Sequence, residues 1–128
     1  MISYLDTSAA MKLLVEEPES VALLSYLQSS GDRLAASWLL HTELHRAAAR
    51  HPDLIDEASV AMVLDTVSLV DLTRGDLLTA GALPGRLRSN DAIHLVVALR
   101  LGVDELLTYD TELVEAATAA GLTVRQPA

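Results

Sequence analysis

Four acids in this 128-residue chain occupy positions suited to an active site: Asp6, Glu43, Asp91 and Asp110. Asp6 closes the run Ile2-Ser3-Tyr4-Leu5, and Asp110 closes Leu106-Leu107-Thr108-Tyr109; each then leads into a helical stretch. That is the signature of a residue at the carboxyl end of a strand. Glu43 lies within an apolar helical stretch and Asp91 at the start of another, where an acid is costly unless something positive meets it. Carboxylates gathered at strand ends suit a hard divalent cation, and a cation held by oxygen alone suits phosphate chemistry.

Each acid also has a plainer explanation. Asp6 and Asp110 could simply cap the helices that follow them, and a strand-end carboxylate can cap and coordinate at once. Ser8 is close enough to Asp6 to support it as a donor or to hold a water. Glu43 has Leu39, Leu40 and Ala47 at helical spacing, which places it on an inward face; Arg46, three residues on, offers an intrahelical ion pair instead. Asp91 opens the most apolar helix, Ala92-Ile93-His94-Leu95-Val96-Val97-Ala98-Leu99, where an acid complements the helix dipole and Ser89 or Asn90 would cap. His94 reads as a tolerated helix histidine that could reach the rim of a site at Asp91. His41 and His45 stand four apart, but Glu43 is two residues from each and would point away from any metal they held; they read as an exposed helix face. Asp104 and Glu105 read as a solvated strand entry.

The elements that must position these acids alternate. Strands are predicted at 2–5, 33–36, 67–71, 105–109 and 122–125. Helices are predicted at 7–15, 19–29, 38–50, 54–65, 74–83, 90–101 and 111–120, with His51-Pro52-Asp53 ending one and capping the next. This order predicts a single α/β domain: a largely parallel sheet with helices on both faces. In such sheets ligands bind outside the carboxyl ends of strands where the strand order reverses.

Composition narrows the partners. The net charge of −9 argues against holding nucleic acid by bulk charge. The few cations are uneven: Arg86 and Arg88 precede Asp91, and Arg46 and Arg50 follow Glu43. There is no cysteine, so disulfides and thiolate metal sites are excluded. With 51% hydrophobic residues in so small a chain, a dimer or a bound protein partner is expected. No uncharged run of membrane-spanning length occurs, and the chain enters its first strand without a basic region or cleavage signal, so a cytoplasmic location is expected.

Four segments in register, Tyr4-Leu5-Asp6-Thr7-Ser8-Ala9, Thr42-Glu43-Leu44, Asn90-Asp91-Ala92-Ile93-His94 and Leu107-Thr108-Tyr109-Asp110-Thr111-Glu112-Leu113, resemble the PIN domain over the whole length of the chain. More narrowly the pattern is similar to the VapC-type toxins of toxin–antitoxin pairs. The resemblance implies a PIN-like three-layer sandwich with a central, mostly parallel five-stranded sheet. It implies a Mg²⁺- or Mn²⁺-dependent endoribonuclease with Asp6 and Asp91 as metal ligands and Glu43 and Asp110 completing the cage directly or through waters. Ser8 falls at the family's Ser/Thr position, and Glu112 at the place of a further acid found in some members. Arg86, Arg88 and Arg46 are candidate RNA contacts. The implied partners are an RNA substrate, a VapB-like antitoxin and a second copy of the chain, in a heterotetramer or larger assembly. A PIN nuclease of other RNA processing and a catalytically inactive PIN scaffold fit the same motifs. A receiver-type phospho-switch would need a lysine at the end of a late strand, and the only lysine is Lys12, in the first helix.

Overall fold

The computed structural model describes residues 1–128. Five strands, β1 (Ile2–Leu5), β2 (Arg33–Ser37), β3 (Val67–Val70), β4 (Glu105–Leu107) and β5 (Val124–Arg125), form one sheet in the order β3-β2-β1-β4-β5. Every pairing is parallel. The chain steps outward from β1 to β3, then returns across the sheet to β4 and β5 on the other side of β1. The order therefore reverses between β1 and β4, where ligands of such sheets bind.

Seven helices connect the strands: α1 (Thr7–Leu14), α2 (Ser20–Ser30), α3 (Leu39–Arg50), α4 (Glu57–Asp65), α5 (Arg74–Gly81), α6 (Ser89–Leu101) and α7 (Thr111–Ala119). Crossovers between parallel strands are right-handed. Helices α1 to α4 serve the outward steps and pack on one another, while α5, α6 and α7 serve the reverse direction and pack together. Opposite directions of travel put the two groups on opposite faces, which gives the three layers. The core between them is aliphatic: Leu5, Leu23, Leu40, Leu44, Val97, Leu106, Leu107 and Leu113 are all fully buried.

Most elements begin or end within one or two residues of the predicted boundaries, β4 and β5 being two residues shorter than predicted; two departures have clear local causes. Residues after His51 make a turn in which the Leu54 and Ile55 N–H groups both donate to the His51 carbonyl. Helix α4 therefore starts only at Glu57, capped by Asp56 rather than Asp53. Helix α6 begins at Ser89, with Arg88 in the cap position and no side-chain cap, so neither Ser89 nor Asn90 has that task. Glu105 is a clearer correction. It is buried, not solvated, because β4 is flanked by β1 and β5. The Tyr26 hydroxyl lies 2.7 Å from both of its oxygens, and the Arg125 guanidinium lies 3.6 Å away.

The α5–α6 layer has its own clasp. Thr73 and Asp76 form a reciprocal capping box at the start of α5. Arg100 of α6 grips both Asp76 oxygens, at 2.7 and 2.9 Å, and donates to the Asp71 carbonyl at 3.1 Å. The guanidinium holds the Asp76 carboxyl below the ordinary aspartate range. This clasp fixes the helix whose first turn carries Asp91.

Candidate active site

The carboxyl ends of β1 and β4 are tied together by the Asp6 N–H, which donates to the Leu107 carbonyl at 3.2 Å. Asp6 caps α1 through the Ala9 N–H at 2.9 Å, and Asp110 caps α7 through the Leu113 N–H, also at 2.9 Å. The capping explanation is thus correct for both, but it does not account for the burial of Asp6, which is 1% exposed. Burial pushes its carboxyl above the ordinary range, opposed by hydrogen bonds from Thr108, Ala9 and Ser8. Ser8 donates to both Asp6 oxygens, at 2.8 and 3.0 Å, and its own oxygen receives the Tyr109 N–H at 2.8 Å. Thr108 donates to Oδ2 at 2.6 Å. Sequence reasoning found Ser8 but missed Thr108, whose alignment with Asp6 depends on the β1–β4 pairing.

Glu43 comes from α3 and points inward, as its spacing predicted, but its partner is not Arg46. Oε1 receives Thr7 Oγ1–H at 2.6 Å and pairs with His94 Nε2 at 2.6 Å; Oε2 receives the Asn90 amide at 3.2 Å. Arg46 lies on the exposed side of α3. Burial alone would raise the Glu43 carboxyl; the bonds from His94, Thr7 and Asn90 outweigh it and hold it below the usual glutamate range.

His94 is not at the rim. It is 1% exposed and joins Glu43 to Tyr4, whose hydroxyl lies 2.7 Å from Nδ1. The Tyr4 oxygen already receives the Ser37 N–H at 3.0 Å. Burial pushes the Tyr4 phenol up to about 12, so it keeps its proton. That proton has one acceptor available, His94 Nδ1, which leaves Nε2 as the N–H that donates to Glu43. A directed chain thus runs from Ser37 through Tyr4 and His94 to Glu43. It also explains why a histidine is tolerated in so apolar a helix: both ring nitrogens are satisfied.

Asp91 is different. It is partly buried, and its carboxylate makes no hydrogen bond within the chain. Its carboxyl is pushed up to about 6, first by burial, then by repulsion from Asp110, Asp6 and Glu43. The four predicted acids therefore converge electrostatically. Glu43, Asp91 and Asp110 line one depression of about 380 Å³ with Arg88, Ser89 and Asn90, and no hydrophobic residue lines it. Arg86 and Glu112 are exposed and lie outside that lining. Lys12 lies in α1, not at a strand end, and pairs with Glu19 at 2.8 Å and Glu17 at 3.2 Å rather than with any of the four acids, which removes the receiver-type alternative.

The donor set is hard oxygen throughout, suited to Mg²⁺ or Mn²⁺ rather than to a thiophilic metal. No three histidine or acid side chains stand close enough to enclose an ion by themselves. The site fits a cation that keeps much of its water and touches one or two carboxylates, which is how Mg²⁺ binds. Asp91, with both oxygens free, and Asp110, with Oδ2 free, are open to it. Most of the acceptor capacity of Asp6 is already spent within the chain.

The model of the PIN domain matches residues 3–119. Over 97% of its length the chain is 42% identical to "Ribonuclease VapC46" of Mycobacterium tuberculosis, covering 96% of that protein. Its fold is similar to a "Toxin-antitoxin complex from Klebsiella pneumoniae" (TM-score 0.75, 21% identity, 98% of each chain). It is equally similar to VapBC2 of Rickettsia felis, solved with a DNA fragment of its promoter (TM-score 0.75, 15% identity, all of each chain).

Proposed function

This chain belongs to the PIN-domain family, and we propose that it is a Mg²⁺- or Mn²⁺-dependent endoribonuclease, the toxin of a type II toxin–antitoxin pair in the cytoplasm. The observation that carries the reading is geometric: Glu43, Asp91 and Asp110 line one polar depression at the sheet's reversal point with Asp6 behind it, and the least satisfied of them, Asp91, is raised by burial and then by repulsion from the other acids. The relative named as a VapC ribonuclease supports the activity. The neighbour solved as a toxin–antitoxin complex supports the partner.

Asp91 and Asp110 would hold the cation directly, and Asp6 and Glu43 would reach it directly or through waters. A cation bound there supplies Lewis-acid polarisation of a phosphoryl oxygen and a water of lowered pKa. Glu43, held anionic by His94 and Thr7, orients a water on its Oε2 side. Arg88, at the lip of the depression, contacts a phosphate and fixes the strand. Cleavage is expected to vanish in excess EDTA and return with Mg²⁺ or Mn²⁺. Attack by an activated water leaves 5′-phosphate and 3′-hydroxyl ends, whereas attack by the RNA's own 2′-hydroxyl leaves a 2′,3′-cyclic phosphate. Mass spectrometry of the ends decides. Cyclic phosphate, or cleavage indifferent to chelator, would remove the acids from this role.

The antitoxin reading has its own structural support. An apolar groove of about 680 Å³ runs between α1, α2 and α4, lined by Leu13, Leu14, Val21, Leu24, Met62 and Val63 among others. Val21 is 73% and Met62 70% exposed, so this face carries a hydration cost when bare. It fits an amphipathic antitoxin helix laid in the groove. An antitoxin arginine reaching the acids would bridge them bidentately and exclude the cation. Leu24→Asp combined with Met62→Asp is expected to abolish co-purification with the antitoxin while leaving RNA cleavage intact. Inhibition of the wild-type protein should weaken as Mg²⁺ rises. A double variant that still co-purifies would place the antitoxin elsewhere. Leu77 and Leu78 of α5 are exposed on the opposite layer and offer a separate face for a second copy of the chain.

A further inference from the structure

Glu43 and Asp91 line the same depression, but they differ in how much of each carboxylate is spent within the chain. Oε1 of Glu43 receives two donors, the Thr7 hydroxyl and the His94 ring N–H, each at 2.6 Å. A carboxylate oxygen has two acceptor positions, so Oε1 is full. Oε2 receives the Asn90 amide at 3.2 Å and keeps one position. The Asp91 carboxylate has spent none.

What holds the His94 donor in place lies deeper in the fold. The Ser37 N–H reaches the Tyr4 hydroxyl at 3.0 Å, and a backbone N–H can only donate. The Tyr4 proton therefore goes to His94 Nδ1, 2.7 Å away, and the two rings meet edge to face at 69°. The imidazole is thus gripped at both nitrogens, with Nε2–H aimed at Oε1. Tyr4 and His94 are both fully buried and absent from the lining of the depression. Neither can touch a substrate there. Both act on the site through Glu43, whose other oxygen faces the depression.

We propose that His94, backed by Tyr4 and Ser37, is a positioning residue for the reaction. It pins Oε1, so that Glu43 offers a single acceptor position on Oε2, which holds the attacking water and leaves the cation to Asp91 and Asp110. This rests on the ribonuclease reading. Ligating the cation through Oε1 would break two charge-assisted bonds. One remaining position on Oε2 cannot serve a cation and a water together. Asp91 can take a cation without breaking any bond. A held water stays in line with phosphorus only while its carboxylate stays fixed, and a small misplacement can cost about 10²-fold in rate.

Two readouts test this: Mn²⁺ affinity by calorimetry without RNA, and steady-state cleavage of an oligoribonucleotide that the wild type cuts. His94→Leu should lower kcat about 10- to 100-fold with KM nearly unchanged, and Mn²⁺ affinity should stay as it was. The double variant Tyr4→Phe/His94→Leu loses the stranded hydroxyl and should be more stable than His94→Leu. Its kcat should remain as low, because nothing then pins Oε1 from that side. His94→Gln, whose amide can accept from Tyr4 and donate to Oε1, should restore much of kcat. Tyr26→Phe loses a hydrogen bond to buried Glu105 at the amino end of the sheet and should leave kcat unchanged. A fall in Mn²⁺ affinity of about 10- to 100-fold in His94→Leu would make Glu43 a direct ligand, because that is the loss expected on removing the support of one. A kcat that recovers with stability in the double variant would make His94 a structural residue only. Either result overturns the proposal and leaves the ribonuclease reading standing. A wild-type protein that binds no Mn²⁺ and cleaves no RNA removes that reading, and the proposal with it.

Discussion

Asp91→Asn should lose nearly all RNA cleavage and yet unfold at a higher temperature than the wild type in metal-free buffer at neutral pH. The two effects share a cause. Asp91 is the acid with no hydrogen bond of its own, and Asp110, Asp6 and Glu43 all repel its charge. If it is a direct cation ligand, its loss removes several kcal/mol of transition-state stabilisation, or about three orders of magnitude in rate. The stability effect follows from linkage. The folded carboxyl titrates near 6, against an ordinary value of 3.8. Between those values the folded state holds a proton that the unfolded state has released, so stability falls as pH rises through the window. Above about 6 the penalty is complete; below the ordinary value it is absent. The Asn variant escapes it. Its advantage should be greatest above pH 6 and vanish near pH 4. A rise of that size corresponds to about 3 kcal/mol, reduced towards about 1 kcal/mol by the side chain's partial exposure. Added Mg²⁺ should reverse the ranking by stabilising only the wild type. Thermal melts across pH with and without Mg²⁺ test this. An Asn variant less stable than wild type at pH 7.5 without metal would mean that Asp91 is satisfied in the apo protein and the acids do not form one electrostatic unit.

The contrast between what the sequence showed and what it hid has a physical pattern. The strand–helix alternation and the four acids were legible because each is a local signal: period, cap residues, and an acid in an apolar run. The sheet order, which no local signal carries, made those signals converge; the right-handed crossover rule fixes only which face each helix takes once that order is set. Thr7, Thr108 and His94 were not identified as supports because their roles exist only between elements. Thr108 meets Asp6 across the β1–β4 pairing, and His94 meets Glu43 and Tyr4 across α6, α3 and β1. Glu105 misled for the same reason. Beside Asp104 it looks like a solvated pair, and only its place between β1 and β5, under Tyr26, makes it a buried acid. The Glu43–Arg46 pair was a local guess displaced by a better non-local donor.

Replacing His94 by leucine should cost about 2–4 kcal/mol of stability, among the largest single effects available in this chain. The figure combines the loss of a hydrogen bond to the Glu43 carboxylate with a Tyr4 hydroxyl left without its acceptor. Glu43 would keep Thr7 and Asn90 but lose its shortest nitrogen donor, and the Tyr4 hydroxyl would lose its only acceptor while still receiving the Ser37 N–H. The Tyr4 hydroxyl is fully buried and cannot turn to water, whereas Glu43 lines the depression and can replace part of what it loses. The dependence can be dissected. Tyr4→Phe alone removes a donor to His94 and should cost about 1–3 kcal/mol. Once His94 is leucine, the tyrosine hydroxyl is a liability, so adding Tyr4→Phe should recover part of the loss. Urea unfolding of the two single variants and the double variant gives the coupling free energy. It should be at least about 1 kcal/mol in the sense that the second substitution is less harmful, or helpful, after the first. Additive losses would mean that Tyr4 and His94 do not act as one chain, and the assignment of the Nε2 proton to the Glu43 side would fall with it. Glu43→Gln offers the complementary arm. An amide can turn its oxygen to receive His94 Nε2–H, so the fold should hold, whereas activity should fall because the anionic oxygen facing the depression is gone.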